Sequence, residues 1–142
     1  MNVTKTHLFE LGKMTIFYIP SHKLDDPRFY QREEAEAKDP KLDLGQTARA
    51  GIHQFLIHHF RAYTQTPTPV KGCWVDPTGQ LVHDVMERFE VSFENEGDFE
   101  RLIEFLVETC ERLKEEAIYV TRGDRSFLVQ RRNPAESTTD DG

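Results

Sequence analysis

The chain alternates between short apolar runs and longer segments in which apolar residues recur every three or four positions. The first apolar run, from Lys13 to Ile19, is β-branched or aromatic almost throughout, and Pro20 ends it. Apolar residues at both odd and even positions are typical of a strand that is covered on both faces. We therefore predict a central strand, and we expect two different covers for its two faces.

Two later segments have the apolar spacing of amphipathic helices. The first follows Asp43, which we predict as its N-cap, and runs to Tyr63. The second follows a predicted N-cap at Asp98. It has the most regular stripe in the chain, made of Phe99, Leu102, Ile103, Leu106, Cys110, Leu113 and Ala117. We expect this second helix to pack against the apolar side of the strand that precedes it.

Four further segments have the character of strands. Val70 to Val75 and a long return strand are joined by residues 76–79, whose Asp-Pro-Thr-Gly sequence is typical of a β-turn. The return strand alternates, with Val85, Phe89, Val91 and Phe93 on one side and Arg88, Glu90, Ser92 and Glu94 on the other. This alternation predicts one buried face and one wet face. Residues 118–121 and 126–129 form a predicted terminal hairpin.

The element order predicts an α+β fold, a ferredoxin-like βαββαβ sandwich. It would have an antiparallel sheet, two helices on one face and an extra C-terminal β-hairpin strand. We predict a single domain over residues 1–130, with residues 21–42 as a polar insertion or flap and residues 131–142 as a disordered tail. One face of such a sheet stays open, so we look for the functional site there first. The fold class alone does not identify a function.

Composition narrows the classes of function. Among the 142 residues the net charge is −7, and nucleic-acid backbones are bound largely through Lys and Arg, so the charge argues against general nucleic-acid binding. No apolar window approaches the length of a membrane span. Cys73 and Cys110 make no disulfide framework, and both fall in segments predicted to be packed. We expect a reduced, cytoplasmic protein.

Few side chains have a spacing that predicts chemistry. His53, His58 and His59 do not share the i, i+4 spacing of helical metal ligands, and we predict neither a metal site nor a cofactor. His83 and Glu87 share the parity of the buried residues of their strand, which makes them candidates for acid–base catalysis. At strand rise they lie ~13 Å apart, too far to form a hydrogen bond with each other.

The remaining candidates lie on the open sheet face. Tyr18, Trp74 and Tyr119, with Phe17, could form an aromatic platform, and Glu90 and Glu94 belong to the wet side of the long strand. The sequence contains no nucleophile elbow and no phosphate-binding glycine loop.

From these features we predict a non-catalytic interaction or ligand-binding protein that acts through the open sheet face, as a homodimer. One alternative is a small enzyme of the dimeric α+β barrel type with a pocket on the sheet face. Another is an acidic inhibitor or nucleic-acid mimic from a mobile element.

Overall fold

The computed structural model describes residues 7–29 and 47–132, with only the backbone of Thr68. Within them one antiparallel sheet has the strand order β2-β3-β1-β4-β5. The strands are β1 (Lys13–Pro20), β2 (Thr64–Val75), β3 (Leu81–Phe93), β4 (Ala117–Arg122) and β5 (Arg125–Gln130). The helices are α1 (Ser21–Leu24), α2 (Ala48–Phe60) and α3 (Glu96–Arg112), and a 3-10 turn spans Pro27–Phe29. The predicted α+β class is confirmed.

Strand β1 lies in the middle of the sheet, as its sequence predicts. It pairs with β3 on one side and with β4 on the other, so that Phe17 lies opposite both Phe89 and Val120. The rings of Phe17 and Phe89 stack with centroids 5.3 Å apart. On the Phe17 side of β1, Thr15, Phe17 and Ile19 are buried, whereas Ile16 and Tyr18 on the other side are only half-buried. The two faces of β1 therefore differ in how completely they are covered.

The two long helices cover the Phe17 face of the sheet. Helix α2 lies over β3, where Phe60 stacks on Phe93 at 4.9 Å, whereas α3 lies mainly over β4 and β5. Phe55 of α2 stacks on Phe105 of α3 at 4.0 Å. Our expectation that the second long helix packs on β3 was wrong. It connects β3 to β4 across β1, so its path ends over the opposite half of the sheet.

Side-chain caps define where the helices begin. Helix α2 follows Thr47, whose hydroxyl accepts a hydrogen bond from the Ala50 amide at 3.2 Å, while Asp43 lies outside the described residues. Helix α3 follows Asn95, whose side-chain oxygen accepts from the Gly97 amide at 2.6 Å. The predicted cap at Asp98 was therefore wrong, because Asn95 already closes the first turn. Asp98 lies inside that turn, where its charge favours the helix start.

Strand β2 is longer than predicted and begins at Thr64, before Pro67 and Pro69. Prolines are tolerated there because β2 is an edge strand, and the pairing register shifts between Thr66 and Val70. The pairing of β3 with β1 stops at Met86, so the segment from Leu81 to Val85 pairs with β2 alone. The β2–β3 hairpin therefore extends beyond the rest of the sheet.

The predicted insertion and tail are described only in part. Residues 21–29 form α1 and the 3-10 turn, while residues 30–42 lie outside the described range, as do residues 133–142 of the predicted tail. At the end of the described chain, the Arg132 amide donates a hydrogen bond to Glu111 of α3 at 2.9 Å. In residues 7–29 and 47–132, the structure contains no helix with the length and apolar character needed to span a membrane.

Replacing Leu106 by Ala should lower the free energy of unfolding by about 2–5 kcal/mol, because truncating a buried leucine removes apolar contact and leaves a cavity. Leu106 is fully buried in the core between α3 and the sheet. Denaturant melts measure the effect, and Glu104→Ala, at an exposed position of the same helix, is the control. A loss below about 0.5 kcal/mol for Leu106→Ala would show that this face of α3 is not the buried one.

Candidate functional site

A cavity of about 360 Å³ lies on the sheet face opposite α2 and α3. Successive side chains of a strand point to opposite faces, and residues paired across antiparallel strands share a face. Tyr18, Met86 and Tyr119 therefore lie on one side of the sheet, while Phe17 and Glu87 lie on the other. The cavity is thus formed by the half-covered face of β1 and its neighbours.

Most of the lining is apolar or aromatic, and it comes from all five strands. Its residues are Tyr18, Pro20, Val70, Lys71, Gly72, Cys73, Trp74, Asp84, Met86, Glu115, Ala117, Tyr119 and Leu128. Gly72 has a steric role, because a Cβ atom there would lie 2.6 Å from the terminal methyl of Met86. The absence of a side chain at Gly72 lets Met86 lie close to the backbone of β2.

Three of the predicted binding residues line this cavity together. The rings of Tyr18 and Tyr119 are 6.0 Å apart, and the Trp74 indole N–H donates to Asp84 Oδ2 at 3.3 Å. Trp74 is 39% exposed, so part of its ring remains free to contact a ligand. Phe17 does not belong to this group. Because Phe17 precedes Tyr18 in the strand, its side chain points to the opposite face, into the core. The prediction that Phe17 belongs to the aromatic platform was therefore wrong.

Two carboxylates line the same cavity, and their partners differ. Glu115 follows α3 and forms an ion pair with Lys23 of α1, with Oε2 and Nζ 2.5 Å apart. Lys23 also donates to the Leu113 carbonyl at 2.7 Å, at the end of α3. Asp84 accepts from the Trp74 indole, and no cation in residues 7–29 or 47–132 pairs with it. The charged lining residues are thus Glu115, which is paired with Lys23, and Asp84 and Lys71, which form no ion pair with each other.

Glu90 and Glu94 lie outside the cavity lining. Glu90 shares the sheet face of Tyr18 and is half-buried, and its carboxylate pairs with Arg88 at 3.0 Å. Glu94 follows the last residue of β3 and is exposed. Glu90 therefore lies on the side of the long strand that its parity predicts, while Glu94 lies beyond the end of the strand.

Glu87 is buried on the helix side of the sheet, where it joins a network of polar side chains. Arg49 of α2 donates to both oxygens of Glu87 at 3.0 Å and also pairs with Asp25 at 2.8 Å. Gln65 of β2 donates a further hydrogen bond to Glu87. Asp25, then Glu87, raise the pKa of the Arg49 guanidinium, and Arg49 lowers the pKa of Asp25. This network joins the start of α2 to β2, β3 and the end of α1.

His83 is separated from Glu87 and is exposed on the extended hairpin. Its Nδ1 lies 3.3 Å from the sulfur of Cys73 across the two strands. Cys73 is exposed, so the expectation that both cysteines are packed was wrong at this position. Cys110 is buried, and burial, followed by the charge of Glu115, raises the pKa of its thiol to about 12.

The helical histidines have separate environments. His53 Nδ1 lies 2.8 Å from the Tyr63 hydroxyl, and the His59 ring lies 4.5 Å from that of Phe55. Burial, followed by the charge of His58, lowers the pKa of His59. Within the described ranges, no three His, Cys, Asp or Glu side chains are grouped closely enough to hold a metal ion.

Sequence reasoning missed four lining residues that matter for the chemistry of the cavity: Asp84, Met86, Glu115 and Leu128. The alternation of β3 contained the signal for two of them, because Asp84 and Met86 have the parity of Arg88 and Glu90. No sequence signal identifies Glu115 or Leu128. Their position depends on how α3 returns to the sheet and on the pairing of β4 with β5.

Comparisons with known proteins give a match only among solved structures. No family model and no curated protein matches the chain. A phage SAM lyase in complex with S-methyl-5'-thioadenosine has 13% sequence identity and a TM-score of 0.48, over 88% of this chain and 95% of that chain. A phage SAM lyase in its apo state has 14% identity and a TM-score of 0.47, over 88% and 97%.

These comparisons correct the predicted function. Both matched structures are of an enzyme, which contradicts the prediction of a non-catalytic interaction protein and favours its alternative of a small enzyme. At this similarity the match assigns no ligand to the present chain. What the chain binds is therefore argued from its own cavity.

Replacing Glu87 by Gln should lower the free energy of unfolding by about 1–3 kcal/mol, because Arg49 and Gln65 then lose a charged, buried acceptor. Urea melts at constant pH measure the loss. Glu90→Gln should cost less than about 1 kcal/mol, since the Glu90 side chain is more exposed than that of Glu87. Equal stability of Glu87→Gln and the unmodified protein would contradict a structural role for this network.

Proposed function

We propose that this protein is a small enzyme that binds a small, positively charged molecule with an aromatic ring in the sheet-face cavity. The observation that carries the proposal is the grouping of Trp74, Tyr18 and Asp84 around one cavity. We also propose that the fold is ferredoxin-like with an added C-terminal strand. The strand order and the two long helices on one face support this assignment.

The size and shape of the cavity support a small ligand. Its volume of about 360 Å³ falls near the lower end of the range of ~300–1,000 Å³ that is usual for small-molecule sites. Apolar and aromatic walls with a few polar groups are also typical of such sites. A flat apolar sheet face, which a protein partner would favour, would not enclose this volume.

The chemistry of the lining supports a cation. The π-faces of Trp and Tyr attract positive charge, and a carboxylate adds direct Coulomb attraction. Asp84 is the carboxylate without a cationic partner among the described residues, and the Trp74 indole fixes its orientation. In a reaction, Asp84 could stabilise a positive charge or accept a proton. The hydroxyls of Tyr18 and Tyr119 supply further polar contacts.

The names of the two matched structures suggest probes for this chemistry. S-adenosylmethionine (SAM) combines a sulfonium cation with an aromatic base and an amino-acid group, and S-methyl-5'-thioadenosine keeps the base but lacks both the cation and the amino-acid group. Both compounds therefore report the aromatic walls, and the effect of Asp84→Asn on each of them reports the contribution of the carboxylate. A difference in affinity between the two compounds would report on the cavity of this chain itself.

Isothermal titration with both compounds should show saturable binding. Trp74→Ala should weaken both about 2- to 30-fold, because each loses the stacking wall or the cation–π contact. Asp84→Asn should weaken SAM about tenfold and leave the neutral thioether nearly unchanged. If the chain converts SAM, chromatography measures the rate of conversion. Asp84→Asn should then lower this rate by about 10²–10⁴-fold if Asp84 transfers a proton in the reaction.

Two matched controls lie outside the cavity. Val75→Ala changes the residue after Trp74, on the opposite side of β2, and Asp124→Asn changes an exposed carboxylate in the β4–β5 turn. Both controls should bind like the unmodified protein. Absence of saturable binding of either compound at millimolar concentration, or equal losses in the cavity and control variants, would reject the proposal.

Two further predictions stay as proposals. We propose a homodimer, motivated by exposed apolar side chains at Met14 and Leu128 on the cavity side of the sheet. Exposed apolar side chains on a sheet face are commonly covered by a second copy. A reduced, cytoplasmic setting remains an expectation that rests on the two free cysteines.

A further inference from the structure

We infer that Lys23 determines the charge preference of the cavity by neutralising Glu115, which leaves Asp84 as its uncompensated carboxylate. Lys23 is then a positioning residue that acts through Glu115. The inference rests on the proposed function and extends it by naming the residue that limits the negative charge of the cavity, which Asp84 and Lys71 also line. The Lys23–Glu115 pair, which belongs to no recognisable sequence motif, should therefore influence whether the cavity prefers a cationic or a neutral ligand.

The geometry of the pair carries this inference. Both side chains are largely buried, with Lys23 13% and Glu115 17% exposed, and their charged atoms lie 2.5 Å apart. Lys23 is held by two more contacts: it donates to the Leu113 carbonyl at 2.7 Å, and its ammonium lies 5.0 Å from the centre of the Phe29 ring. An ammonium fixed in this way cannot swing out to solvent without losing all three interactions.

The location of Glu115 connects the pair to the cavity. Glu115 lies between α3 and β4, and its backbone carbonyl accepts from the buried Cys110 thiol at 3.1 Å. This contact holds the backbone of the turn in place while the side chain lines the cavity. With Lys23 present, the pair presents a nearly neutral wall. Without Lys23, the same carboxylate would add a second negative charge.

The fluorescence of Trp74 can report the charge of the cavity wall without a bound ligand. It is the only tryptophan in the chain, it lines the same cavity as Glu115, and it is partly exposed. Caesium and iodide ions quench indole fluorescence with opposite sensitivity to local charge, and acrylamide reports access alone. The ratio of caesium to iodide quenching at constant ionic strength therefore measures the charge of the cavity.

Lys23→Met should raise the caesium-to-iodide ratio about twofold, and Glu115→Gln should lower it by a similar factor, as expected for one charge across a screened cavity. The double variant Lys23→Met/Glu115→Gln should return to the unmodified value, and Lys23→Arg should keep it. Lys114→Met and Glu116→Gln change exposed neighbours and should have smaller effects. Acrylamide quenching should stay constant throughout.

The outcomes separate this inference from the proposed function. Unchanged ratios in both single variants, or a shift in the same direction in both, would overturn the role of Lys23 whether or not a ligand binds. If SAM and S-methyl-5'-thioadenosine bind, Lys23→Met should also increase the preference for SAM. A loss of affinity for both compounds alike would indicate only structural damage and would reject the inference.

Discussion

The alternation of side chains along β1 is the constraint on which the rest of the structure depends. Phe17 and its neighbours on one face complete a core with α2 and α3, while Tyr18 points to the other face. A central strand that is apolar on both faces requires a cover on each. In the described chain the second cover is incomplete, and the space that remains is the cavity. The core and the candidate site therefore both follow from the alternation of side chains along β1.

Ion pairs connect the elements around this strand on both faces. On the helix side, Arg49 joins Asp25 to Glu87 and so fixes the start of α2 on the sheet. At the cavity, Lys23 joins α1 to the turn after α3. Both networks include residues from the segment that follows β1. That segment therefore positions the start of α2 as well as the wall of the cavity.

Local patterns in the sequence predicted the elements well and their packing less well. The regular stripe of α3 and the alternation of β3 gave correct elements, because both periodicities follow from backbone geometry. The strands that α3 covers were misassigned, since a stripe shows which side of a helix is buried but not the partner that it contacts. Tyr18, Trp74 and Tyr119 were predicted as one aromatic platform, and they do line one cavity, whereas Phe17 was wrongly included because it neighbours Tyr18 and faces the core. Glu115 was missed, because its position depends on Lys23, which is 92 residues earlier in the chain.

The most direct test of the central claim is a crystal structure of the protein with SAM or S-methyl-5'-thioadenosine bound. We expect the adenine base of either probe against Trp74 or Tyr18 on the open face of the sheet, with the sulfonium of SAM turned toward Asp84. A ligand bound on the helix side of the sheet, beside Arg49 and Glu87, would contradict it. So would a ligand that leaves the cavity empty and contacts only the extended β2–β3 hairpin.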